Sequence, residues 1–183
     1  MASFTQRMIG AARLDVATYE EVEADKTATG QALAVVFLSA LAAGIGGAAT
    51  GGARGFVGYL FAALLAWVAW ALVTWVIGTK VLPSPQTQSN MGELLRTIGF
   101  ASSPGLFRVF AFIPVLGWVI EFLVWVWMLA TFVVAVRQAL DYTSTGRAVV
   151  VCAIGWLVAL GVVVLTAFVL GQSVGLLGAM MGH

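Results

Sequence analysis

Glu121 is the one acidic residue inside an apolar run long enough to cross a bilayer, and an ionisable group in hydrocarbon is costly enough to need a reason. Three uses fit it. It lies near one end of its run and can reach the headgroup region; it can pair with Arg108 as a structural contact; or it can line a proton or ion path together with Arg108. A second set of charges, Arg96 and Arg108 flanking Pro104 together with Arg137, Asp141 and Arg147, falls on one side of the predicted membrane. Such a cluster suits lipid phosphate or a partner protein, and it is equally what the retention of Lys and Arg on the cytoplasmic side deposits with no further role.

Other chemistry finds few residues to use. No serine, cysteine or histidine lies near a plausible base, and no pair of carboxylates shares a loop. The turn Gly51-Gly52-Ala53-Arg54-Gly55 lacks the lysine and hydroxyl residue of a phosphate loop. Cys152 is the only cysteine and His183 the only histidine, so no disulfide or cysteine-based metal site is expected, and no cofactor. A net charge of +1 without a basic patch argues against nucleic acid. The expectation is a protein that is not an enzyme.

The elements that position these residues follow from composition. The 183 residues are 61% hydrophobic and only 9% charged, against roughly 25% charged in a soluble domain. Lipid is the solvent that tolerates such a surface. The fold class expected is all-α, a polytopic transmembrane helical bundle. Residues 1–30 read as a cytoplasmic amphipathic helix, with apolar positions at Phe4, Met8, Ala12, Val16 and Tyr19, and residues 31–183 as the membrane domain. Acidic residues precede the first apolar run, the wrong order for a cleavable signal peptide.

Spans are expected at about 31–52, 56–79, 98–113, 115–137 and 147–170. Residues 90–100 read as a short helix lying along the membrane surface, and Ser102-Ser103-Pro104 as a serine-capped helix start. The third span is the weak one. An α-helix of ten residues after Pro104 covers about 15 Å, half the hydrocarbon, so either the preceding segment continues it or the chain re-enters.

Charge arbitrates. Five spans with a cytoplasmic N-terminus put Arg7, Arg13, Lys26, Lys80, Arg96, Arg108, Arg137 and Arg147 inside and Arg54 alone outside, eight against one; a hairpin and four spans give six against three. Discounting Arg7 as distant from the membrane and Arg108 as embedded leaves the order unchanged. Five spans, N-terminus inside and C-terminus outside, are expected.

Small residues suggest how such a bundle associates. Gly47 and Gly51 are four apart at the end of the first span, and Gly171 and Gly175 repeat that spacing in the last run. The partners expected are the lipid bilayer, further copies of the chain and other membrane proteins.

The order of short motifs resembles a known family. Leu14-Asp15-Val16-Ala17-Thr18-Tyr19-Glu20-Glu21-Val22, then Leu94-Leu95-Arg96-Thr97-Ile98-Gly99-Phe100-Ala101-Ser102-Ser103-Pro104-Gly105-Leu106-Phe107, then Ile113-Pro114-Val115-Leu116-Gly117, Val136-Arg137-Gln138-Ala139-Leu140 and Ser144-Thr145-Gly146-Arg147-Ala148 resemble bacterial members of the Yip (Ypt-interacting protein) family. The resemblance implies five spans, a cytoplasmic N-terminus and, for a bacterial member, the cytoplasmic membrane. Eukaryotic relatives act in vesicle traffic with Rab proteins, through oligomers and membrane shape; the long cytoplasmic domain of those relatives is missing here, so that role transfers only by analogy. Three functions follow as expectations: a scaffold or assembly factor working through helix association, a small-solute or ion channel using Glu121 and Arg108, or an accessory subunit of a larger membrane complex.

Overall fold

The structure is a computed structural model and describes residues 2–46, 63–113 and 115–158. Among them every regular element is helical, as expected. Three helices, Ala28–Gly46, Ala63–Val81 and Gly117–Ala139, are long and apolar enough to cross a membrane, and Thr145–Val158 is a shorter apolar helix.

The N-terminal segment is two helices rather than one, α1 (Phe4–Ala12) and α2 (Val16–Ala24). Ser3 and Gln6 form a capping box that starts α1. The break comes at Asp15, whose carboxylate accepts the Thr18 N–H at 3.2 Å and so offers the backbone a new N-cap in place of continued helix. Leu14 turns the corner at φ 64. The two helices cross closely at Gly10, where a β-carbon would stand 2.1 Å from Thr18 Oγ1. Their apolar sides face the bundle: Ala11, Tyr19 and Val22 are fully buried with Phe100.

Helix α3 (Ala28–Gly46) leads away from this end, and α4 (Ala63–Val81) returns to it, its last turn widened to a π-helix over Ile77–Val81. Gly78 in that turn lies against Leu140, and the Tyr142 hydroxyl shares its proton between the carbonyls of Gly78 at 3.1 Å and Leu82 at 2.7 Å. The indole N–H of Trp67 donates to Leu95 O and that of Trp75 to Ser89 O, both at 3.1 Å, so these tryptophans tie α4 to the next segment.

Helix α5 (Met91–Ala101), capped by Asn90 and Glu93, is not a surface helix. Leu94, Thr97, Ile98, Phe100 and Ala101 are all buried, because α2 covers one side and α3 and α6 the others. A 3₁₀ helix, Ser103–Phe112, continues it. The two serines do not cap that helix as expected; Ser102 Oγ donates back to Ile98 O at 3.3 Å and Ser103 Oγ to Phe100 O at 2.7 Å, closing α5 instead. At roughly 2 Å per residue the 3₁₀ segment reaches about 20 Å, more than the α-helical estimate.

Small residues let this segment lie flat on α3. Added β-carbons would stand 2.7 Å from Ala32 at Gly99, 1.9 Å from Ser39 Oγ at Gly105, and, on α3's own Gly46, 2.1 Å from the Arg108 carbonyl. The contacts pair residues 32, 39 and 46 with residues 99, 105 and 108, so the segment runs beside α3 in the same direction. Helix α6 (Gly117–Ala139) starts where it ends and returns to the first end, and α7 (Thr145–Val158) reverses again, bringing Trp156 to 5.2 Å from Trp125.

Candidate functional site

The charges singled out from the sequence separate into two places. Arg96, Arg137, Asp141 and Arg147 gather at the end where α2, α5, α6 and α7 meet; Arg108 and Glu121 lie toward the other end.

At the first place Arg96 is buried and donates from Nε to Val22 O at 2.9 Å and from its terminal nitrogen to Glu23 O. These are the last carbonyls of α2, the negative end of its dipole, so the guanidinium supplies both bonds and charge there. Below it, Glu20, Glu23, Arg137, Gln138, Asp141 and Tyr142 line a polar cavity of about 260 Å³. Gln138 donates to the Glu20 carboxylate at 3.1 Å, and the Gln88 N–H donates to Asp141 at 3.1 Å. Burial, then Asp141 and Glu93, push the Glu23 carboxyl up to about 7, with Arg96 opposing. Arg147 donates to Pro83 O at 3.0 Å and lies 5.7 Å over the Tyr142 ring. The cluster is therefore a built junction of four helices and the 82–90 connection.

Sequence reasoning passed over Arg7, set aside as remote from the membrane. It is 2% exposed, paired to Glu21 at 2.9 Å and Asp25 at 2.8 Å, and bonded to Gln31 at 3.0 Å. The signal was present: Arg7 falls between Phe4 and Ala11 on the apolar side of its helix, where a cation needs buried partners. Thr27 and then Arg7 hold the Asp25 carboxyl down at about 2, and Arg7 also holds that of Glu21 below its usual range.

At the second place Glu121 Oε2 stands 3.3 Å from Arg108 Nε, with Glu121 half exposed and Arg108 mostly buried. The N–H does not point along this contact, so the pair is a contact of charges and the Nε proton has no acceptor among the described residues. Glu121 and Arg108, named together from the sequence, are thus brought side by side. The candidate packing residues Gly47, Gly51, Gly171 and Gly175 lie outside the described residues; the close small-residue contact that is described uses Gly46, Gly99 and Gly105. No cluster of three or more His, Cys, Asp or Glu side chains able to hold a metal ion occurs among the described residues.

Apolar helices arranged as a bundle, with charged junctions at their ends, define a multi-pass membrane protein. The family model for the Yip1 domain matches residues 15–166, and the chain belongs to that family. No curated protein and no solved structure matches it.

Proposed function

We propose that this chain is a non-enzymatic organiser of membrane assemblies, acting through helix-to-helix association with further copies or other membrane proteins. The observation that carries the reading is an open apolar groove of about 950 Å³ between α6 and α7, with Ala130 and Ala153 among its lining residues and Leu14, Trp125 and Trp156 beside them. Small residues on a membrane helix let a second backbone approach, and packing rather than water exclusion then holds the pair. Crosslinking between cysteines placed at Ala130 and Ala153, in native membranes, tests it. Disulfide-linked dimers or a captured membrane protein are expected; a chain that stays monomeric and uncrosslinked there overturns the proposal.

Five passes with the N-terminus inside the cytoplasmic membrane of a bacterium complete this reading. The eight-to-one charge distribution supports it, as does the course of residues 99–112 beside α3. Cysteines at Lys26 and Ser144, in a Cys152→Ser background, should be shielded from an impermeant maleimide applied outside, and one at Arg54 should react. Labelling of Lys26 and Ser144 from opposite sides would refute it.

The ion pair favours keeping a second reading, a solute path through Arg108 and Glu121. It predicts flux in liposomes that Glu121→Gln abolishes; wild-type protein without flux rejects it. Copurification with a larger complex would instead mark an accessory subunit.

A further inference from the structure

A cavity of about 470 Å³ opens between α3, α4, α5 and α6, and no contact described above fills it. Val36, Ala40, Ile98, Phe132 and Trp70 form its walls, and Arg108 is the only charged group lining it among the described residues. The volume is about three times the ~150 Å³ that accommodates benzene, which leaves room for roughly eighteen carbons. That is one acyl chain and not two.

The polar atoms specify the rest of the occupant. Two nitrogens of the lining residues, Arg108 Nε and Trp70 Nε1, are buried without a hydrogen-bond partner among the described residues, and both are donors. The occupant has to bring oxygen acceptors, since a buried donor left unmet forfeits the hydration it had in water. Beside Arg108, at 3.3 Å, is Glu121, which is 45% exposed, so positive and negative charge stand together at this end. A purely anionic head would meet Arg108 but be repelled by Glu121. A head carrying phosphate and a primary ammonium answers both.

The geometry points to a seat for a zwitterionic phospholipid of the phosphoethanolamine class: one acyl chain in the cavity, its phosphate on Arg108 and its ammonium on Glu121. The inference does not depend on the scaffold reading, because it concerns a bound lipid and not a protein partner.

The test uses the full chain in phosphatidylglycerol vesicles containing a trace of phospholipid with a photoreactive diazirine on one acyl chain, either phosphatidylethanolamine or phosphatidylglycerol. Crosslinks are mapped by mass spectrometry. The ethanolamine probe should label Val36, Ala40 and Phe132 several-fold more than the glycerol probe, while outward-facing Phe122 and Leu123, each 59% exposed, take both probes equally. Glu121→Gln, a change at an exposed position, should erase the preference, and Ala40→Trp should remove cavity labelling while sparing Phe122 and Leu123. Labelling confined to Phe122 and Leu123, or equal cavity labelling by both probes, overturns the assignment. Should Ala40→Trp fail to fold, the Glu121→Gln comparison decides alone.

Discussion

Trp127 and Ala12, 115 residues apart, are joined by one hydrogen bond: the indole N–H donates to the carbonyl at 2.7 Å. Trp127 lies ten residues into α6, about 15 Å from Gly117, so the corner between α1 and α2 is held at mid-height on a membrane-crossing helix. The N-terminal pair thus packs against the side wall that α6 presents.

Replacing the donor should loosen that wall. Trp127→Phe keeps the stacking on Phe107, whose ring centroid is 5.4 Å away, and deletes the bond. The expected loss is about 1 kcal/mol. Faster amide hydrogen exchange in residues 4–15, with the rest of the chain unchanged, is the check.

Arg96 has more to lose. Arg96→Met keeps most of the stem volume but leaves the Val22 and Glu23 carbonyls without their donor, at a cost of about 2–3 kcal/mol. Unfolding in mixed micelles should register it, and Arg96→Lys should recover only part, since one ammonium cannot reproduce the guanidinium's two-point contact.

Glu23 predicts a dependence on pH. Its folded carboxyl titrates near 7, above the ordinary value of 4.5, so the folded chain holds the extra proton between those values and stability falls as pH rises through that window. Asp25 and Glu21 act oppositely: their folded values are depressed, so their contribution is present above the ordinary carboxylate range and is lost on acidification, for Asp25 toward about 2. Glu23→Gln should raise the melting temperature at pH 8 more than at pH 5. Equal gains at both values contradict the assignment.

Close backbone contact makes the fourth prediction. Gly46→Ala would put a methyl group 2.1 Å from the Arg108 carbonyl, a backbone atom that cannot rotate away. The intrinsic helix preference for Ala, up to about 1 kcal/mol, is outweighed by overpacking, and a net loss of about 1–2 kcal/mol is expected. Thermal unfolding of the purified variant measures it.

Much of the fold could be read from residue order, because uninterrupted apolar runs can do little but cross lipid, and the prolines and charges between them end helices. The kinds of winding could not be. Residues 103–112 have no composition that separates 3₁₀ from α, and the choice follows from packing on Ser39 and Gly46. The break at Asp15 was missed for another reason: the apolar period runs through it undisturbed, while the cap that interrupts it depends on one short side chain. Charge bias groups Arg96, Arg108, Arg137, Asp141 and Arg147 on one side, and the structure gathers all of these except Arg108, which stands with Glu121 toward the other end. Which acid answers which base was less legible. The Arg108–Glu121 pair is one of three readings, and Arg7, discounted in the charge count as distant from the membrane, is enclosed by Glu21 and Asp25.

The ten-residue 3₁₀ strut is drawn out like an extended spring. Wound as an α-helix the same residues would be about 5 Å shorter. Contraction of that size would pull Phe112 back from the start of α6 and slide Gly105 off Ser39, so the pitch of this one coil keeps its close contacts with α3 in step.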